Sequence, residues 1–78
     1  MNNDLLWSKA LSKIQTEVTS IVYTTWFKET KIHKIENNII TIMVPMEIHR
    51  KNLTDRYLDI IIKALFEITN NTYDITFI

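Results

Sequence analysis

The chain contains no glycine, so every backbone position that needs a positive φ must be filled by a residue with a side chain. Asparagine tolerates that conformation best among the remaining residues, because its short amide can bond locally to the backbone. Two asparagine pairs, Asn37-Asn38 and Asn70-Asn71, are therefore the main punctuation marks, and they divide the chain into segments of distinct hydrophobic period.

Asp4 can cap a first helix over about 4–18, with Leu6, Ala10, Leu11, Ile14 and Val18 near helical spacing and Trp7 in its first turn. Thr19 or Ser20 can cap a second, shorter helix carrying Ile21, Val22, Tyr23 and Trp26. From Thr30 the period changes to that of a strand holding Ile32 and Ile35, a hairpin turn at Asn37-Asn38, and a return strand from Ile39 to Val44. Pro45 lacks an N–H, which ends the ladder and lets a long third helix begin, over about 46–69. Leu53, Tyr57, Ile61, Ala64, Leu65 and Ile68 form its apolar stripe. Asn70-Asn71 stops it, and Tyr73, Ile75 and Phe77 alternate on a closing strand. The order is ααββαβ. Because strand–helix–strand crossovers are right-handed, the last strand should run parallel to the second. An α+β fold follows, with a three-stranded mixed sheet and helices packed on one face.

Seventy-eight residues allow one domain spanning 1–78. A chain of this size buries only roughly 60% of its unfolded surface. With no cysteine to staple it, the fold must rest on apolar packing, which the 46% hydrophobic content supports. No apolar run is long enough to span a membrane, and Met1-Asn2-Asn3-Asp4 does not open a secretory signal, so the cytosol is the expected compartment.

Catalytic templates fail on their parts. Phosphate cradles require glycines. His33 and His49 lie on different elements without metal-ligand spacing, and read as surface histidines. Asp55 and Asp59 sit one turn apart on a solvated helix face, as solubility charges rather than an acid/base pair. A binding protein without cofactor or metal is expected, not an enzyme.

Binding is signalled instead by apolar groups the core does not need. Trp26 reads as core, and Phe27 fits core and surface equally. Trp7 stands beyond the Leu6, Ala10, Ile14 stripe and reads as partly exposed. Ile48, isolated before the polar run His49-Arg50-Lys51-Asn52, reads the same way.

Five pieces of the chain resemble, in order, the N-terminal domain (domain I) of the bacterial chromosomal replication initiator, the DnaA family. They are Leu6-Trp7 with Ala10-Leu11 and Ile14; Thr25-Trp26-Phe27; Ile40-Thr41-Ile42-Met43-Val44-Pro45; Arg56-Tyr57-Leu58; and Ile68-Thr69 with Tyr73, Ile75 and Phe77. None is specific alone, but the spacing of all five together is. The resemblance implies a KH-like (type II) fold and a scaffold role. It implies weak self-association through the first helix at Trp7 and Leu6, recruitment of the replicative helicase, and docking of initiation regulators. Thr25, Trp26, Ile48 and His49 would lie on or beside the docking surface, with Val22 at a helicase-contact position. The family's ATPase and origin-binding domains are absent from these residues. Three positions depart from the family pattern: Ile48 replaces a Phe anchor, Asn52 a Trp, and Val22 an acidic residue.

Two other readings compete with this one, a KH-like single-stranded nucleic-acid binder and a phage or plasmid mimic of the initiator domain. KH domains clamp phosphates with a glycine-containing loop, which this chain lacks, and its nine basic and nine acidic residues are interleaved. Affinity for single-stranded DNA is therefore expected to be weak, above about 1 μM at physiological salt, and to fall steeply as salt rises. Fluorescence anisotropy across a salt series checks this, and a submicromolar value would favour the nucleic-acid reading.

Overall fold

The computed structural model describes residues 2–78. Helix α1 (Asn3–Glu17) is followed by a single turn α2 (Ser20–Val22), which runs into a π-helical turn over Tyr23–Phe27. Strands β1 (Lys31–Glu36) and β2 (Ile39–Met43) form a hairpin. Helices α3 (Glu47–Arg56) and α4 (Leu58–Thr69) precede the closing strand β3 (Asp74–Phe77). This is the α+β, ααββαβ order read from the sequence, with its third helix divided in two.

Asparagine does what glycine would do elsewhere. Among the described residues the positive-φ positions are Asn37 (φ 53°), Asn38 (φ 64°) and Asn70 (φ 61°). The first two make the two-residue hairpin turn between the paired Glu36 and Ile39. Asn70 ends α4 in the left-handed conformation, its N–H donating to the Phe66 carbonyl at 2.7 Å. Asn38 also bonds through its side chain. Its amide Nδ2 donates to the Thr72 carbonyl at 2.9 Å, tying the hairpin turn to the segment before β3. The cap of α1 is also an asparagine. Asn2 Oδ1 accepts from the Leu5 N–H at 2.7 Å, so the cap falls before Asp4, which lies in the first turn where the helix dipole favours a carboxylate.

The sheet order is β1-β2-β3, antiparallel between β1 and β2 and parallel between β2 and β3, as the crossover rule requires. Ile32 pairs with Ile42 and Ile35 with Ile40, although Ile32 and Ile35 are three residues apart and Ile40 and Ile42 only two. A strict period of two cannot place both Ile32 and Ile35 on the core face. A bulge resolves the conflict, with His33 and Lys34 together opposing Thr41. Ile75 and Phe77 pair with Ile40 and Ile42 from the other side, so the helix-facing surface of the sheet is aliphatic and aromatic throughout.

Helix α1 lies over β1, α4 lies over β3, and the two helices pack against each other. Between them and the sheet sit Ala10, Ile14, Phe27, Ile40, Ile42, Leu53, Ile61 and Leu65, all essentially without solvent contact. The expected long helix breaks at Tyr57 (φ −124°, ψ 7°) without proline or glycine. The Tyr57 ring meets Phe27 edge-on, with centroids 5.5 Å apart. The break lets the two halves pack in different places, α3 against the π turn and α4 along α1.

Because Leu53 and Ile61 stand on either side of this break and are both buried, truncating either to Ala should cost about 2–5 kcal/mol. Chemical denaturation followed by circular dichroism checks this.

A candidate protein-docking surface

Three backbone features deliver the site. Thr19 Oγ1 accepts from the Val22 N–H at 3.1 Å and starts the second helix. Its turns then widen, with the Lys28 N–H reaching back five residues to the Tyr23 carbonyl at 3.0 Å. Such π turns are rare and gather at functional sites. The widened turn buries Phe27 completely and leaves Trp26 half-buried and Thr25 exposed. The third feature is the start of α3 directly after Pro45 and Met46, which sets Ile48 and His49 in its first turn.

His49 joins the two segments. Its Nε2 lies 3.0 Å from the Thr25 carbonyl oxygen, which can only accept, so Nε2 carries the proton and donates. The same ring meets Trp26 nearly at right angles, with centroids 5.2 Å apart and an interplanar angle of 73°. Nδ1 is buried without a hydrogen-bond partner. Asn52, where the family pattern has Trp, donates its Nδ2 to the Ile48 carbonyl at 3.2 Å and stiffens the same turn. On the next face of α3, Arg50 forks onto Glu47 and holds that carboxyl below the usual carboxylate range through its hydrogen bonds.

The structure thus joins Thr25 and Trp26 to His49, with Ile48 next to His49 in the first turn of α3. Ile48 is 46% exposed, as its isolation in the sequence led us to expect, and Met46 beside it is 62% exposed. Val22 is half-buried and packs against the core, so it supports the surface from beneath. Sequence reasoning missed Ile21, which is 77% exposed. It lies four residues before Thr25, and its only signal was an aliphatic residue in a turn too short to bury all its side chains.

The exposure expected of Trp7 is corrected. Only 3% of Trp7 remains accessible, and Leu6 beside it is buried too. The indole Nε1–H donates to Thr30 Oγ1 at 3.0 Å, and Thr30 donates onward to the Phe27 carbonyl at 2.6 Å. A helical stripe counted from Leu6, Ala10 and Ile14 gives no hint that the loop before β1 folds back over the neighbouring face. That loop supplies both the cover and the acceptor.

Among the described residues no cluster of three or more His, Cys, Asp or Glu side chains could hold a metal ion, and no helix is long and apolar enough to cross a membrane.

This geometry can be set beside known proteins. The family model described as the DnaA N-terminal domain matches residues 4–67. The chain belongs to the DnaA N-terminal domain family. It is 33% identical over 72 residues to the chromosomal replication initiator protein DnaA of Geotalea daltonii, an alignment covering 92% of this chain and 16% of that protein. The chain therefore spans about one sixth of that initiator's length. The match begins at Asp4 and takes in α1, the π turn, the hairpin, α3 and most of α4.

Trp7→Ala should cost about 3–5 kcal/mol of stability, as for any large buried aromatic. Trp7→Phe keeps much of the volume but removes the N–H, and should cost about 1 kcal/mol through the lost hydrogen bond. Urea titrations of both variants check the burial directly.

Proposed function

We propose that this chain is the protein-interaction module of a replication initiator, a single non-catalytic domain working in the cytosol. In this reading it recruits the replicative helicase, docks regulators of initiation and associates weakly with itself. The ATPase and origin-binding functions belong to other parts of such an initiator.

One observation carries the docking role. Two exposed apolar residues, Met46 and Ile48, stand on the chain just before His49, which is bonded to the Thr25 carbonyl and set edge-on to Trp26. The parts are those of a small interface: an apolar anchor, an aromatic edge and polar groups around them that exclude water. The arrangement is preorganised, because Trp26 and His49 fix each other's rings and Asn52 fixes the turn that bears Ile48. Preorganisation lowers the ordering cost of binding. Val22 offers no charge at the helicase-contact position, so this surface suits a partner that presents an apolar pocket rather than a basic one. Leu6 and Trp7, turned into the core, serve self-association by holding α1 in place rather than by touching a second copy.

Ile48→Ala should weaken partner binding by about 1–2 kcal/mol, the lower end of hot-spot values. His49→Glu should weaken it as well, by breaking the bond to Thr25 and adding a charge. Both variants should keep a cooperative thermal melt. Calorimetric titration with purified helicase and regulators checks this, and unchanged affinity in both variants would move the docking site elsewhere.

A further inference from the structure

The two edges of the sheet differ in what they leave open. Strand β1 is bulged at His33 and carries Lys31, His33, Lys34 and Glu36 exposed along it, which blunts that edge against further pairing. Strand β3 pairs with β2 without a register shift and carries no charge after Asp74. The Asp74 N–H donates to the Asn38 carbonyl at 3.1 Å and the Ile78 N–H to the Ile42 carbonyl at 2.9 Å, so alternate residues direct their backbone to β2. Ile75 and Phe77 fall between them in that alternation and turn their N–H and C=O groups to the open side. These donors and acceptors recur at the spacing of an extended chain.

The side chains beside this edge differ between the two faces of the sheet. On the helix side, α1 lies over β1 and α4 over β3, so the flank of α4 turned away from α1 stands above the open edge. That flank carries Leu58, Ile62 and Phe66, which recur every four residues. Leu58 and Ile62 are half-buried without joining the core cluster, and Phe66 is 45% exposed. Lys63 and Glu67 lie on the other flank, with Lys13 of α1. On the face without helices, the Thr76 hydroxyl lies 3.0 Å from that of the buried Thr41 and keeps capacity for one more hydrogen bond. Asp74, on the same face, is exposed and makes no ion pair among the described residues.

We propose that the β3 edge takes up an extended segment of a partner protein as the fourth strand of the three-stranded sheet. The outward groups of Ile75 and Phe77 are matched by a chain in extended form, which fixes the partner's backbone. The surroundings fix its side chains. Antiparallel pairing is the slightly more stable arrangement. In it, the residues opposite Ile75 and Phe77 point to the helix side and are apolar, resting against Leu58, Ile62 and Phe66. The residue opposite Thr76 lies on the other face, where a hydroxyl continues the row begun by Thr41 and Thr76. The residue opposite Asp74 shares that face and is basic, to match the free carboxylate. Charge argues against a second copy in this place. A two-fold pairing centred on Thr76 sets Asp74 opposite Ile78 and leaves both carboxylates unmatched. The partner segment therefore reads apolar, hydroxyl, apolar, basic. Only a few residues pair, so the contact is weak and reversible.

This edge shares no residue with the docking patch, and a peptide probes it without helicase or regulator, so its failure is distinct from a failure of that patch. The probe is the pentapeptide Thr-Val-Thr-Val-Lys, acetylated and amidated, titrated into the isotope-labelled chain and followed by nuclear magnetic resonance. Binding should saturate, with the amides of Ile75 and Phe77 shifting most and gaining protection from hydrogen exchange. Methylating both valine nitrogens, which face the edge, should weaken binding about tenfold or more. Methylating the nitrogen of the threonine between them, which faces away, should leave binding intact. Phe66→Lys interrupts the apolar stripe and should weaken binding about tenfold. Asp74→Lys should weaken it about threefold, and a peptide ending in Glu should recover that loss. Amides of Ile75 and Phe77 that stay unshifted, or binding that survives methylation of both valines, would overturn the proposal. Protection of those amides that rises with the concentration of the chain alone would give the edge to a second copy, and would overturn it as well.

Discussion

The hydrogen-bond relay from the Trp7 indole through Thr30 to the Phe27 carbonyl joins three parts of the chain that no secondary structure connects. It fastens α1 to the end of the π turn and to the entry of β1. The Phe27 carbonyl at the end of the π turn accepts twice, from the Thr30 N–H at 3.1 Å and from the Thr30 hydroxyl at 2.6 Å. The same hydroxyl accepts the indole N–H, so one side chain links the helix, the π turn and the strand entry. The relay is buried, which limits the competition from water. With Phe27 locked beneath it, Tyr57 finds its edge-on contact, and the break between α3 and α4 acquires its position.

The candidate docking surface depends on that chain of constraints. Trp26 follows the exposed Thr25 and precedes the buried Phe27, so the depth of Phe27 sets how far Trp26 reaches the surface. The angle of α3, set by the Tyr57 break, brings His49 within bonding distance of Thr25. Ile48, next to His49 in the first turn of α3, stays 46% exposed rather than entering the core. An interface whose anchors are held by buried contacts can bind without first ordering itself. The division of the third helix therefore has a functional side, because a straight helix along α1 could not also rest on the π turn.

The absence of glycine leaves its mark on the whole fold. All described positive-φ positions are asparagines, and each amide can also bond, as Asn38 does across to Thr72. Turns made this way are stiffer than glycine turns, because the unfolded chain has fewer conformations to lose. A protein of 78 residues without disulfides gains from such economies. The bulge at His33 has a comparable double effect: it rotates Ile32 and Ile35 onto one face and spoils the β1 edge for pairing. The β3 edge has no such protection.

Periodicity and turn chemistry by themselves determined the element order, both asparagine turns, the parallel closing strand and the stripe of Leu53, Ile61 and Leu65. Each of these is a local pattern, and the local pattern agrees with the global fold. The isolation of Ile48 before a polar run was also legible, because an apolar residue outside the helical period has no core position waiting for it. Other features were decided only in three dimensions. Trp7 looked surplus to its helix until the loop at Thr30 covered it, and a stripe count cannot see a covering loop. The break at Tyr57 carries no proline or glycine, since it comes from packing against Phe27. The placing of His49 against the Thr25 carbonyl joins residues 24 positions apart. Which side chains meet across such distances depends on the packing of helices against the sheet. No single segment contains that information.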